Sequence, residues 1–188
     1  MTDPIATTED AIITAAKATL GQTVRRLESV PGGWTLDTLK RALQFAPGVY
    51  VTFQGAVNGI SQGYLSGRFT VYCVTKGADE QARRRGNERV IGAYDLVARL
   101  APELNDLRVP EIGILQLRGI DNLFRDAMFD LGGTVYAIQF ELPNIPLDYL
   151  ADESAMDDFV TFDAVYDLNP PTGSGEPEAN DHMIGLDQ

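Results

Sequence analysis

The chain has 188 residues, 44% hydrophobic and 22% charged, enough for one domain with a buried core, and no apolar run approaches the roughly 20 residues of a membrane helix. Its net charge of −12 is unevenly placed: residues 1–150 hold 17 of the 27 acids and all 15 Lys and Arg, while residues 151–188 hold 10 acids and no Lys or Arg. A near-neutral body with an acidic tail excludes ordinary DNA binding, which needs clustered cations against phosphate, and a lone Cys73 excludes an intrachain disulfide.

Met1-Thr2-Asp3-Pro4 lacks the basic-then-apolar layout of a signal peptide, so a cytoplasmic origin is expected. Thr7-Thr8-Glu9-Asp10 then places a hydroxyl cap and early acids before Ala11–Gly21. This predicts a helix with Ile12 or Ile13, Ala16 and Leu20 facing the core. Thr23–Val30 is short and mixed, with Val24 and Leu27 out of phase for a clean strand. After Gly32-Gly33, Thr35 caps a second predicted helix over Leu36–Phe45, whose Leu36, Leu39 and Leu43 share one face, and Pro47-Gly48 ends it.

Val49–Val57 alternates, with Val49, Val51, Phe53 and Val57 on one face, and Arg68–Lys76 is a second alternating run. The two predict an antiparallel hairpin. Its connection, Asn58–Gly67, exceeds the usual two to five residues and so predicts an excursion with contacts of its own. Asp79–Leu104 is the longest helical candidate, with Val90, Tyr94, Val97, Ala101 and Leu104 as its apolar stripe. Gly86, Gly92 and Pro102 interrupt the flanks and narrow the expectation to Asn87–Leu100. Ile112–Arg118 reads as a strand, and Gly119–Leu131 as an excursion.

Gly132–Leu142 is the best strand signal in the chain. Tyr136, Ile138, Phe140 and Leu142 point one way, and Val135, Ala137, Gln139 and Glu141 the other. Pro143 has no N–H for a ladder and is expected to stop it. Ile112–Arg118 and this strand are expected to pair antiparallel. The predicted class is α+β, a mostly antiparallel sheet of about four or more strands with helices packed on one face, plus a C-terminal extension. The expected organisation is a domain over 1–146, a partly apolar acidic arm over 147–168 and a disordered acidic tail over 169–188.

Catalytic chemistry finds little to use. His182 is the only histidine and falls in the predicted disordered end, away from any Ser or Cys that it might serve as base. Cys73 alternates with Phe69 and Val71, so a buried, inert thiol is expected. One Cys and one His do not make a zinc set. Gly55-x-x-x-Gly59 and Gly63-x-x-x-Gly67 match no phosphate-binding loop. Asp152/Glu153 and Asp157/Asp158 lack the spacing of a calcium loop and read as solvated charge. No catalytic, metal or cofactor site is therefore assigned. Arg83-Arg84-Arg85 is the one basic cluster, either a solvated helix face or an intersubunit contact.

Taken in order, these segments resemble the tail terminator (tail-completion) proteins of Mu-like phages and prophages over about residues 5–145. The resemblance rests on the two helices, Ala46-Pro47-Gly48-Val49-Tyr50-Val51 leading into the hairpin, and Phe69-Thr70-Val71-Tyr72-Cys73-Val74. Arg89-x-x-Gly92-x-Tyr94-Asp95-Leu96 and Val135–Leu142 complete it. The acidic extension after Pro146 departs from the compact family pattern.

The resemblance implies a virion protein of the head-proximal tail end, made in the host cytoplasm. It implies a self-assembled, hexameric ring that ends tail-tube polymerisation and joins the tube to the head or neck. Its partners would be its own copies, the tail tube protein and a head–tail connector or neck protein, with DNA passing through the lumen without specific binding. No enzymatic activity, cofactor or membrane association is implied. Expected intersubunit or partner contacts are Arg83, Arg84 and Arg85; Ile60, Tyr64 and Leu65 of the hairpin tip; Phe124, Met128 and Phe129; and Phe159 and Phe162 of the arm. Another neck or tail component, such as a head–tail adaptor, is the nearer alternative. A small oligomeric α+β enzyme with an interface site is the more distant one.

Overall fold

The computed structural model describes residues 3–32, 35–88, 90–123, 131–146, 161–166 and 179–184, with the backbone alone for Leu36 and the last two segments. It divides into two compact units, Met1–Ala151 and Asp152–Gln188.

In the first unit, α1 runs over Pro4–Leu20. It starts earlier than the Thr7-Thr8 signal predicts, because Asp3 is the cap: its carboxylate accepts the Ile5 N–H at 2.8 Å, and Pro4 fills the first helical position. Thr8 is buried inside the helix, its hydroxyl donating to the Pro4 carbonyl at 2.7 Å. Ile12, Ala16 and Leu20 face the core as expected. β1 (Arg26–Ser29) then lies parallel to β2 (Gly48–Asn58). The connection between them carries α2 (Leu36–Gln44), whose Thr35 cap accepts the Thr38 N–H at 3.2 Å.

β2 pairs antiparallel with β3 (Tyr64–Lys76), so the hairpin forms as read. Its tip is shorter than expected, because pairing continues out to Asn58 and Leu65. A bulge between Phe53 and Gly55 shifts the register, which carries Val57 off the core face shared by Val49, Val51 and Phe53.

The single long helix expected over Asp79–Leu104 is two, α3 (Glu80–Arg85) and α4 (Ala93–Leu104). Gly86 ends α3 at φ +76°, and Gly92 opens α4, its N–H donating to the Asp95 carboxylate at 3.0 Å. The two glycines pass so closely that a Cβ on Gly92 would lie 2.1 Å from the Gly86 nitrogen. With α4 starting there, Leu96 and Leu100 join Ala101 and Leu104 of the expected stripe in the core, while Val90 and Tyr94 of that stripe are 41% and 39% exposed.

β4 (Arg108–Val109) and β5 (Gly113–Ile114) form a small hairpin before β6 (Gln116–Asn122). The strand expected over Ile112–Arg118 therefore lies further along. β6 pairs antiparallel with β7 (Gly133–Pro146), as expected. β7 continues past Pro143, because Leu142 pairs with Gly67 and Ile145 with Leu65, leaving an extra residue on β7. A proline at such a bulge needs no ladder hydrogen.

The sheet order is β1-β2-β3-β7-β6, mostly antiparallel within an α+β fold. α1 and α4 cover one face over a core that includes Ile12, Val51, Phe69, Leu96, Leu100, Ile138 and Phe140. Burying each large apolar side chain there contributes about 1.5–3 kcal/mol. α2 adds a smaller second core at one end of the opposite face, where Leu39, Ala42 and Leu43 meet Tyr50, Tyr72, Val74, Val135 and Ala137.

In the second unit, β8 (Thr161–Tyr166) and β9 (Ala179–Ile184) form an antiparallel pair, with Phe162 opposite Met183 and His182 opposite Asp163. β9 lies within the stretch read from composition as disordered.

Candidate assembly surface

α2 shields only one end of its sheet face. Beyond it, β7 turns from Val135 and Ala137, which are buried, to Gln139 and Glu141, which line an open groove of about 590 Å³. Gln54, Arg68, Thr70, Tyr72 and Arg118 share its walls. The groove is polar because the alternation that buries Phe69, Val71 and Cys73 must turn Arg68, Thr70 and Tyr72 to the other side.

Of its charges, Arg118 and Glu141 form an ion pair. Arg118 Nε donates to Glu141 Oε2 at 2.7 Å and its Nη2 to Gln116 Oε1 at 3.0 Å. Ser66 Oγ donates to the other Glu141 oxygen, and Gln139 Nε2 to Asp121 Oδ2. Gln54 Nε2 donates to the Tyr72 hydroxyl at 3.0 Å. The Ser66 hydroxyl, and then the Arg118 hydrogen bond and charge, hold Glu141 below the usual carboxylate range against partial burial. The lining sets Arg68 and Arg118 against Glu141, and Asp121, bonded to Gln139, brings a second acid beside it, so the wall offers no marked excess of positive charge.

The hairpin tip is the second exposed feature. Gly59 N–H donates to the Tyr64 carbonyl at 2.8 Å, closing the turn, and Ile60 projects from it fully exposed. Tyr64 is 39% exposed. Leu65 is half-buried and packs against the main core, so it is less open to a partner than the sequence suggests.

The arginine triplet divides. Arg83 is 4% exposed: its Nη1 donates to the Gly77 carbonyl at 3.0 Å, and its own carbonyl accepts the Thr75 hydroxyl at 2.8 Å. It pins α3 to the end of β3 and leaves the set of candidate contacts. Arg84 pairs with Glu80 one turn back and donates to the Tyr94 hydroxyl at 3.2 Å. Arg85 is exposed. Phe124, Met128, Phe129 and Phe159 lie outside the described residues, and Phe162 is placed on β8 by its backbone.

Sequence pattern does not mark Arg68, Arg118 or Asp121 as contact residues, and it puts Tyr94 and Tyr136 on core faces. The first was within reach, since strict alternation puts Arg68 opposite the apolar face of its strand. Tyr94 was assigned to the core by the wrong helical phase. Among the described residues, no group of three or more His, Cys, Asp or Glu is placed to hold a metal ion. No helix among them is long and apolar enough to cross a membrane.

The sequence matches the family model described as "Bacteriophage Mu, Gp37" over residues 4–145, all within the first compact unit. It is similar to "Mu-like prophage FluMu protein gp37" of Haemophilus influenzae, with 26% identity over 162 residues, 86% of this chain and 80% of that protein. It is also similar to "Probable tail terminator protein" of Escherichia phage Mu, with 24% identity over 152 residues, 81% of this chain and 80% of that protein. Among solved structures, a chain from "Virion of native gene transfer agent (GTA) particle" aligns over 77% of this chain and 99% of its own, at 13% identity and a TM-score of 0.44.

Proposed function

The chain belongs to the Bacteriophage Mu Gp37 family, and from that membership we propose that it is a tail terminator. In this reading it is a structural virion protein that caps the tail tube, ends its polymerisation and joins it to the head or neck. The observation that carries the proposal is the similarity to the phage Mu relative, whose printed name is that of a tail terminator, over 81% of this chain.

The physical form of the proposal is a closed ring of copies, six in number. Such a ring needs a heterologous interface, in which one patch of each subunit binds a different patch of the next. The polar, charge-balanced groove suits a wall past which DNA slides, because it gives phosphates no cationic cluster to hold. Ile60 and Tyr64 at the hairpin tip, together with Arg84 and Arg85, are the proposed contacts to neighbouring subunits or to the tube. A neck or connector protein would bind the free side of the ring. The role is one of assembly, without turnover.

Mass photometry and electron microscopy of the purified full chain, with and without tail tubes, test this reading. Rings of six copies seated on tube ends are expected. Monomers that never cap a tube would sink it.

A further inference from the structure

The end of the sheet where Tyr64 pairs with Pro146 carries a projection on one face and a hollow on the other. The projection is the β2–β3 tip. Residues 54–67 contain no charged side chain and no proline, Val57 is exposed, and Ile60 stands fully in solvent at the turn. Ile60 shares a recess of about 270 Å³ with Ser66, Arg118 and Glu141, so it lies on the groove side of the sheet.

The hollow belongs to the β4–β5 hairpin. It measures about 470 Å³ and is walled by Val109, Pro110, Ile112 and Ile114, with Arg108 and Glu111 as its two charges. Ile114 is exposed there. This hairpin lies on the core side of the sheet, because a Cβ on Gly113 would stand 3.2 Å from Leu142 Cδ1, and Leu142 belongs to the main core.

We propose that projection and hollow are the halves of one joint, in which Ile60 of one copy seats in the β4–β5 hollow of the next. The proposal rests on the ring reading above and names its interface. Apolar surface exposed on both halves leaves water when they meet, and the tip brings no ion of its own to be desolvated.

The polar groups are complementary as well. Around Ile60, the N–H groups of Ile60, Ser61, Gln62 and Gly63 enter none of the described hydrogen bonds. In the hollow, the Glu111 carboxylate enters none of the described hydrogen bonds or ion pairs. Glu111 is held at φ +64°, a conformation uncommon for any residue but glycine. Seating Ile60 sets the donors of the turn beside that acceptor, and hydrogen bonds to a charged group are the stronger kind.

A second copy is the occupant because the sheet stands between the two halves, so a chain does not seat its own tip. Both halves lie at the same end of the strands. The contact therefore repeats about an axis along the strands without a rise, which closes a ring instead of starting a filament.

The test uses the full chain, with circular dichroism confirming that each variant folds. Ile60→Cys combined with Ile114→Cys should yield covalent ladders of subunits on oxidation, against no background from the buried Cys73. Ile60→Asp and Ile114→Asp alone are each expected to lower the ring fraction at least tenfold at fixed concentration. Glu111→Gln should lower it further than Arg108→Gln does. Rings that persist in both aspartate variants, with no crosslink from the cysteine pair, would overturn the joint and leave the ring reading standing. Ile60→Asp rings that form normally but no longer cap tubes would overturn it by assigning the tip to the tube protein. Covalent dimers from Ile60→Cys alone would overturn it in favour of tip-to-tip contact. A wild-type chain that forms no ring, alone or on tubes, would overturn both readings.

Discussion

Tyr94 on α4 and Tyr136 on β7 meet edge to face, with ring centroids 5.4 Å apart, and the Tyr136 hydroxyl donates to that of Tyr94 at 3.4 Å. Arg84 completes the cluster by donating to the Tyr94 hydroxyl from α3. Three elements that share no local sequence signal are thereby tied at one corner of the fold.

Tyr94→Phe removes the hydroxyl that serves both neighbours. A loss of about 0.5–1.5 kcal/mol is expected, the usual worth of a hydrogen bond, at the low end because the site is exposed. The Tyr136 hydroxyl is pushed up to about 12, first by burial and then by Tyr94. In the variant it should titrate lower, which a tyrosinate absorbance titration reads directly. An unchanged Tyr136 titration would refute the coupling.

Alkali should unfold the protein through its buried acids. Burial pushes the Cys73 thiol up from 9.0 to about 12 and the Tyr50 hydroxyl up from 10.0 to about 12. Both are neutral in the folded chain and ionise more readily in the unfolded one, so the unfolded state sheds protons first. Their contribution is complete below pH 9 and is lost as pH rises from there towards 12. Thermal melts across that range should show a steadily falling Tm, and a thiol reagent near neutral pH should label Cys73 only as fast as the protein opens.

The arginine triplet should separate by stability. Arg83→Ala strips a buried side chain and the donor to the Gly77 carbonyl, for an expected loss of about 1–3 kcal/mol. Arg85→Ala, at an exposed position, should stay within about 0.5 kcal/mol of wild type. Denaturant melts of the two variants decide the matter, and equal effects would contradict the burial of Arg83.

Gly92→Ala should be among the most damaging small substitutions, costing more than about 3 kcal/mol. Its new Cβ would fall within 2.6 Å of backbone atoms of Arg84, Arg85 and Gly86, and backbone cannot swing aside as a side chain can. Gly119→Ala is the control, since a Cβ there meets nothing within 4 Å. Wild-type-like melting of Gly92→Ala would mean that α3 and α4 approach less closely than described.

Much of the sheet was legible in local pattern. The alternation of Val49–Phe53, Phe69–Cys73 and Tyr136–Leu142 gave three central strands and their inward faces, because a side-chain period of two survives whatever the strand pairs with. β1 was not legible. Four mixed residues carry too little pattern, and its place comes from lying parallel to β2 against α1. Pro143 misled for a related reason: a bulge, which depends on the partner strand, lets β7 run on to Pro146.

The surface divides along the same line. By itself the sequence determined the class, the central strands, the acidic tail and the projecting Ile60, all of which follow from composition or short-range period. Only the tertiary structure decided that Arg83 is buried, and that Leu96 and Leu100 join the expected Ala101 and Leu104 in the core while Val90 and Tyr94 stay exposed. Those outcomes depend on which segments meet in space, and the approach of two backbones that would put a Gly92 Cβ 2.1 Å from the Gly86 nitrogen is of the same kind.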